Sequence, residues 1–293
     1  MKVAVTGASG FCGRAIVAAL VGAGHDVTTV GRRPLAGFPH RYWDAGRGAP
    51  TLDEDAVVHA AALVVDGGSA ADHRRVTIDG TAEIASTGVA MVHISSASVY
   101  GPHTGSVDET ARCVPRFSRY AAAKLQAERH AAAASAVILR PRAVYGPGDP
   151  YLEPRLVASV RRGTVVMPGA NRPLSLTHVN NLGAAVVDSL SWAPGVYNVA
   201  DSISYQRDDV VVAVCRAHGL DVVLRRIPVT VAFTAAAFLG RFNPGRLSRY
   251  AVDQLANPIV LEVGKACAAG YAPLHDLGGY LSTVCASGRS SRT

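Results

Sequence analysis

Lysine is almost absent from this chain. Of its 29 basic residues only Lys2, Lys124 and Lys265 are lysines and the rest are arginine, against 22 acidic residues and a formal charge of +7. The arginines stand singly or in pairs (Arg32-Arg33, Arg74-Arg75, Arg161-Arg162, Arg225-Arg226). Without a dense basic run, no nucleic-acid partner is expected. Cysteine is sparse too. Cys12, Cys113, Cys215, Cys267 and Cys285 are odd in number, far apart and free of any C-x-x-C, which excludes a disulfide framework and suits a reducing compartment. Cys215 and His218 lie three apart, but no second pair completes a zinc site, so no metal is expected. Long apolar runs are also missing: the longest uncharged one, Ile227 to Gly240, is short of the roughly 20 residues of a membrane span, and Pro228 interrupts its start. Glycines and Arg14 break the apolar stretch from Val3, so the N-terminus is no signal peptide. With 49% hydrophobic and 17% charged residues the chain is not disordered. A cytoplasmic protein without a membrane span is the expectation.

What is present is an alternation. Lys2 to Val5 reads as a strand, Gly7 to Gly13 as a glycine turn, and Arg14 to Leu20 as a helix; His25 to Val30 is a second strand. Further buried strands are predicted at 56–59, 91–94 and 137–139, with helices at Ala70 to Thr87 and Tyr120 to Ala134. Apolar strands alternating with helices imply a parallel sheet covered on both faces. The predicted fold is α/β, a Rossmann doubly wound parallel sheet with a smaller C-terminal substrate lobe. The boundaries expected are 1–150 for the nucleotide-binding domain (completed by about 174–200), 151–173 and 201–285 for the lobe, and 286–293 for a frayed polar tail. Short elements are expected in the lobe: a strand at 196–199, a helix from Arg207 to His218 and a strand at 222–224.

Gly7, Gly10 and Gly13 fall at the first strand-to-helix junction with G-x-x-G-x-x-G spacing. Glycines there permit the turn and let backbone N–H groups approach a pyrophosphate at the helix's positive end. The alternative is a mere tight turn. The second strand ends Val30-Gly31-Arg32-Arg33, with no carboxylate to hold a ribose diol. Two guanidiniums suit the 2′-phosphate of NADP, with NAD as the alternative cofactor; a pair of solvated surface arginines is the plainer reading.

Tyr120 and Lys124 form a Y-x-x-x-K at the start of an alanine-rich helix, one turn apart on one face. With ten tyrosines and three lysines, chance would supply that pattern roughly 0.1 times. A tyrosine is a poor base at neutral pH unless a cation stabilises its phenolate. A surface lysine beside a packing tyrosine is the alternative. The third member should be a hydroxyl at the sheet's carboxyl edge, where such sheets bind ligands. Ser96 in His93-Ile94-Ser95-Ser96-Ala97-Ser98 is the choice, with Ser95 and Ser98 as neighbours that cap the turn or contact substrate.

Taken together, TGASGFCG at 6–13, VVHAAA at 57–62, IDGT at 78–81, SSASVYG at 95–101, YAAAK at 120–124, LRPRAVYGPGD at 139–149 and LTHVNNLGAAVV at 176–187 resemble the extended short-chain dehydrogenase/reductase superfamily. Within that superfamily (the NAD-dependent epimerase/dehydratase family) the C-terminal LSRYAVD at 247–253 and GYAPL at 270–274 look most like the 3β-hydroxysteroid dehydrogenase side. The resemblance implies that Ser96 and Tyr120 hold the reacting oxygen. Tyr120 is then the acid/base, and Lys124 holds the nicotinamide ribose and lowers the tyrosine's pKa. It also implies that Phe11, Cys12, Ala60, Ala61 and Ala62 line the cofactor, that Asp44 reaches the adenine, and that Pro141 and Val144 flank the nicotinamide. Ser98 and Tyr145 are candidate substrate contacts, His178 is structural, and a homodimer is implied. Thr77, Asn180-Asn181, Ala123 and Cys12 depart from the family's usual residues.

No acidic residue follows Ser96, which argues against a dehydratase. The expected activity is an NADP-dependent interconversion of a secondary alcohol and a ketone, by hydride transfer with tyrosine as acid/base, on a small hydroxyl or ketone substrate. The runner-up is a nucleotide-sugar 4-epimerase with tightly held NAD, and a non-catalytic NADP-binding regulator stands behind both. The apolar segment Val229 to Leu239 is either a cover for a lipophilic substrate or a core helix of the lobe.

Overall fold

The structure, a computed structural model, describes residues 1–64, 68–103, 105–239 and 248–290. Gly240, Leu247 and the last three residues of the predicted tail lie outside the described residues. The chain runs β1 (Lys2–Thr6), α1 (Phe11–Gly22), β2 (Asp26–Gly31), β3 (His40–Tyr42), β4 (Ala56–His59), α2 (Ala70–His73), a π-helical stretch Arg74–Asp79, α3 (Gly80–Ala85), β5 (Ala90–Ile94), β6 (Ser106–Val107), α4 (Arg119–Ala133), β7 (Val137–Pro141) and β8 (Val144–Tyr145). Then follow α5 (Leu152–Ser159), β9 (Thr164–Pro168), β10 (Pro173–Leu174), β11 (Thr177–His178), α6 (Val179–Ser189), β12 (Gly195–Val199), β13 (Tyr205–Gln206), α7 (Arg207–Ala217), β14 (Val223–Ile227), α8 (Val229–Leu239), α9 (Arg249–Ala256), β15 (Val260–Leu261), α10 (Gly264–Ala268) and α11 (Leu277–Ser290).

Seven strands form one parallel sheet in the order β12-β7-β5-β4-β1-β2-β3. Because side chains alternate across a strand, its two faces build two separate cores. Val3 and Val5 of β1, with Val137 and Leu139 of β7, pack against Ile16 and Leu20 of α1 and Leu182 and Val186 of α6. Ala4 of β1 and Ile138 of β7 face the other way, onto Ile84 of α3 and Ala131 of α4. That two-sided burial is why β1, β4 and β7 read as continuous apolar runs rather than as alternations. The remaining strands make two-residue or five-residue pairs: β9 with β14, β10 with β13, β11 with β8 and β15 with β6.

The Rossmann sheet expected from the sequence is therefore present. The edge strand β3 was not anticipated, and the predicted helix at 70–87 is interrupted by the π-helical stretch. The polar residues from 286, read as a tail, are helical as far as Ser290.

One helix carries much of the cleft. Ser118 caps α4 by accepting from the Ala121 N–H (3.1 Å), which satisfies an otherwise unpaired donor. Ala121, Ala123, Lys124, Ala127, Glu128 and Ala131 recur on its buried face, and the small alanines let the helix lie close to the sheet. Glu128 is buried there and takes two bonds from Arg140 on β7, Nε to Oε1 at 2.9 Å and Nη2 to Oε2 at 2.6 Å, while Ser95 also donates to Oε1. Removing the carboxylate leaves a buried guanidinium uncompensated. Glu128→Ala is therefore expected to cost about 3–5 kcal/mol, read as a lower urea midpoint at unchanged m-value.

Candidate active site

Strand order reverses between β1 and β4, since β1 leads on one side to β2 and on the other to β4. In open α/β sheets the crevice at such a reversal, beyond the strands' carboxyl ends, takes the ligand. A cavity of about 680 Å³ opens there. Its walls bring together every glycine-loop residue singled out above (Gly7, Gly10, Phe11, Cys12, Gly13), Arg32, Arg33, Asp44, Ala60, Ala61, Ala62, Ser96, Ser98, Tyr120, Lys124, Pro141 and Val144.

The glycine loop is built for a close approach. Gly7 has φ +69°, and a Cβ there would lie 2.8 Å from the Ala61 nitrogen; at Gly13 it would lie 2.1 Å from the Gly7 carbonyl oxygen. Neither position accepts a side chain, so β1, α1 and the turn after β4 are pressed together. Gly10, the residue before α1, offers no side-chain cap. The helix's first donors are thus left for something in the cavity, as a dinucleotide phosphate requires. The cradle fits the cofactor that the sequence implies.

A hydrogen-bond chain locks this geometry. The Ala61 N–H donates to Thr6 Oγ1 (3.2 Å), and Thr6 is 2.8 Å from His59 Nδ1. His59 Nε2 is 3.1 Å from Thr81 Oγ1, which donates to the Thr77 carbonyl (2.6 Å). Donors and acceptors balance only if His59 is neutral with its proton on Nε2. Burial agrees, pushing its pKa down to about 3, with the Lys124 charge adding to the effect. Thr77, one of the departures, also accepts from the Leu63 N–H (3.2 Å) and so fixes the loop beyond β4. Sequence reasoning missed His59 and Thr6 as loop-setting residues, although VVHAAA contains the signal.

Arg32 and Arg33 follow β2 into the cavity wall. Asp44, just beyond β3, is the centre of an arginine cluster: Arg47 Nε at 2.8 Å, Arg75 Nη1 at 3.4 Å and Arg32 Nε at 3.9 Å. Glu83 steadies this loop by accepting from the Gly46 N–H (3.0 Å) and the Trp43 indole (3.2 Å). One carboxylate among three guanidiniums leaves this end of the cleft positive.

Lys124 is buried and donates to the Ile94 carbonyl at the end of β5 (2.6 Å). Desolvation lowers its pKa to about 8, opposed by Glu128 and Cys12. Ser96 caps a short 3-10 turn by accepting from the Ser98 N–H (3.2 Å), and the Ser98 hydroxyl donates to Ser96 Oγ (2.9 Å). Tyr120 was expected to have a lowered pKa. Instead burial raises it well above the usual phenol value, with Tyr250 adding to the rise and a hydrogen bond to Ser96 pulling the other way. The reason is physical: the Lys124 ammonium is itself desolvated and committed to the Ile94 carbonyl, so it does not dominate the phenol. A phenol held in its acid form is a competent proton donor at neutral pH.

Tyr145 is not brought to the cavity. It is fully buried and donates to Asp201 (2.8 Å), because β8 turns its ring into the core cluster of Leu176, Val210 and Leu277. It holds the fold, and the reading of it as a substrate contact is corrected. Ser95 is likewise used up on Glu128. His178 caps α6 through its ring nitrogen (3.2 Å to the Asn180 nitrogen). Asn181 is buried and joins Asp201 (2.8 Å) to the His275 carbonyl (2.8 Å). The apolar helix α8 lines no part of the cavity among the described residues, because Ala232 and Ala236 face Val252 of α9. The far wall is made instead by Arg142, Tyr151, Tyr250 and Gln254, together with Leu152, Leu156, Leu174, Leu176, Val210 and Val211. Sequence reasoning did not find these, as they come from α5, α7, α9 and loops far apart in the chain.

A glycine loop at the β1–α1 junction, a switch-point cleft and a Ser, Tyr and Lys set define an NAD(P)-dependent enzyme of the extended short-chain dehydrogenase/reductase superfamily. The model of the NAD dependent epimerase/dehydratase family matches residues 3–200, and the chain belongs to that family. It is 28% identical to 4-hydroxy-2-methyl-3-oxo-4-farnesyl-3,4-dihydroquinoline-1-oxide ketoreductase of Stigmatella aurantiaca, covering 82% of this chain and 80% of that one. It is also 28% identical to 2-alkyl-3-oxoalkanoate reductase of Stenotrophomonas maltophilia, over 88% and 90% of the two chains. Among solved structures, MoeE5 in complex with UDP-glucuronic acid and NAD superposes with a TM-score of 0.75 at 26% identity, covering 99% of this chain and all of that one.

The depressed pKa of Lys124 has a sign that can be measured. Below about 8 both folded and unfolded chains carry the charge, and the folded chain bears its burial cost. Between about 8 and the ordinary 10.5 the unfolded chain holds the proton and the folded one does not, so stability rises with pH. Relative to Lys124→Met, the parent is expected to gain about 3 kcal/mol across that window, measured by urea unfolding at each pH.

Proposed function

We propose that this chain is an NADP-dependent oxidoreductase that interconverts a secondary alcohol and a ketone. The observation that carries the reading is the meeting of Ser96, Tyr120 and Lys124 at one end of the switch-point cleft. Gly7, Gly10, Phe11, Cys12 and Gly13 hold the cofactor's pyrophosphate, Arg32 and Arg33 its 2′-phosphate, Asp44 and Ala60 to Ala62 its adenosine side, and Lys124, Pro141 and Val144 its nicotinamide end. The bound cofactor supplies the hydride. Ser96 and Tyr120 grip the carbonyl oxygen, and in reduction Tyr120 gives up its phenolic proton as the alkoxide develops. Residues 151–173 and 201–285 form the lobe that closes on the substrate, a reading supported by Leu152, Val210 and Tyr250 facing the glycine loop across one cavity.

Support for a ketone comes from the two ketone-reducing relatives and from the leucines and valines of the far wall. Nucleotide-sugar epimerisation is the second reading, resting on the likeness to MoeE5. The two separate on one assay. Net NADPH oxidation with lipophilic ketones is expected; tight NAD on the purified protein with no NADPH oxidation would indicate epimerisation. Tyr120→Phe should lower kcat about 1,000-fold without loss of cofactor binding, and full turnover in that variant would sink the mechanism. The double substitution Arg32→Ala, Arg33→Ala should cut the preference for NADPH over NADH about 100-fold, measured as the ratio of kcat/KM values.

A further inference from the structure

Three arginines are buried among the described residues: Arg140, Arg142 and Arg207. Two of them have carboxylates. Arg140 is held by Glu128 (2.6 Å) and Arg207 by Asp208 (2.8 Å). Arg142 has none. Its guanidinium donates to the neutral side-chain oxygen of Gln254, and Tyr250 and Asp253 act on its charge from a distance without forming an ion pair. Burial pushes its pKa down as the chief influence. A guanidinium taken out of water without an anion is costly, and this one lines the catalytic cavity.

It leaves the sheet from the strand next to the one that carries the serine turn. Ile94 of β5 pairs with Leu139 of β7, and the Ser95 N–H donates to the Leu139 carbonyl (2.8 Å). Ser96 follows two residues after β5 and Arg142 directly after β7, and both line the same cavity. The wall beyond carries an apolar stripe of Leu152, Leu156, Leu174, Leu176, Val210 and Val211, with Arg155 and the Asp208-paired Arg207 also in the lining.

We propose that Arg142, steadied by Gln254, is the counter-ion for a carboxylate on the substrate, and that the substrate is an oxo acid with a hydrocarbon tail. The carboxylate lies within a few bonds of the ketone that Ser96 and Tyr120 grip, and the tail runs along the leucine and valine wall. This rests on the ketone-reduction reading and adds the substrate's charge and shape. Arginine suits the role because its planar fork offers several donors, and one given to Gln254 leaves the others for a carboxylate.

The test pairs 3-oxodecanoate with its methyl ester, which removes the charge at the proposed contact and adds one methyl group. The parent is expected to show kcat/KM for the acid about 100-fold above that for the ester. In Arg142→Gln the acid-to-ester ratio should fall to near one, and in Arg142→Lys it should recover in part. Equal use of acid and ester by the parent overturns the proposal, as does an Arg142→Gln variant that keeps the parent's ratio. A second measurement stands apart from turnover. Decanoate should raise the parent's Tm in the presence of NADP and decanamide should not, and Arg142→Gln should abolish the difference. If neither substrate is reduced yet decanoate protects through Arg142, the anion site stands and the ketone reading falls. If UDP protects through Arg142 and decanoate does not, the anion is a nucleotide-sugar phosphate and the oxo-acid proposal is overturned.

Discussion

The contact on which the cleft depends is the bond from the buried Lys124 ammonium to the Ile94 carbonyl. An ammonium without a carboxylate on it survives burial only if its donors are used and its surroundings cannot collapse away from it. Alanines at 121, 123, 127 and 131 meet that demand by letting α4 lie against the sheet. The Glu128–Arg140 pair, one turn further along the helix, clamps the same helix to β7. Those two ties set where Tyr120 stands relative to Ser96. Because Ile94 is the last residue of β5, the lysine also fixes the strand end from which the serine turn departs. The position of the Tyr120 phenol is thus decided by the packing of one helix.

The polar network under the glycine loop has the opposite character, since it is neutral throughout. Thr6, His59, Thr81 and the Thr77 carbonyl pass one hydrogen-bond direction from β1 to the π-helical stretch. A charged imidazole there would repel Lys124, whose charge already helps lower the pKa of His59. The network under the glycine loop is therefore kept uncharged, while cationic side chains stand elsewhere in the cavity wall, Arg155 and Arg207 among them. One end holds Arg32, Arg47 and Arg75 around a single Asp44, with Arg33 in the same wall; the other holds Lys124 and Arg142. A ligand with anionic groups at separate points along its length matches that arrangement, whereas a neutral ligand would leave it uncompensated.

How legible this was in the sequence depended on how local each signal is. The strands of the sheet, the glycine loop and the Y-x-x-x-K pair were readable because each is a pattern within a few residues, and buried parallel strands announce themselves as apolar runs. The edge strand β3 was not, since its three residues His40–Tyr42 are polar and half exposed. Tyr145 was misplaced because a motif gives residue order but not which face a two-residue strand presents; its pairing with β11 turned the ring inward. The far wall of the cavity was invisible for a different reason. Arg142 and Gln254 are 112 residues apart, and nothing in either neighbourhood signals the other. The raised pKa of Tyr120 was missed because burial, unlike a charge four residues away, has no sequence signature.

The scarcity of lysine gains its meaning from where the three remain. Lys124 and Lys265 both point the ammonium at the carbonyl of a strand of the main sheet, Ile94 and Val196, at 2.6 and 2.7 Å. An arginine could satisfy the rest of the surface in a chain this rich in arginine, but a guanidinium presents a wide, rigid fork that stays charged at any ordinary pH. At position 124 the buried ammonium donates to a single carbonyl, that of Ile94. Desolvation there has already brought the group close to neutrality at about pH 8. A compact cation that loses its proton near pH 8 once it is buried is something lysine supplies and arginine does not. At position 124 the chain's usual arginine would bring a group that stays charged into a site where burial favours losing the proton.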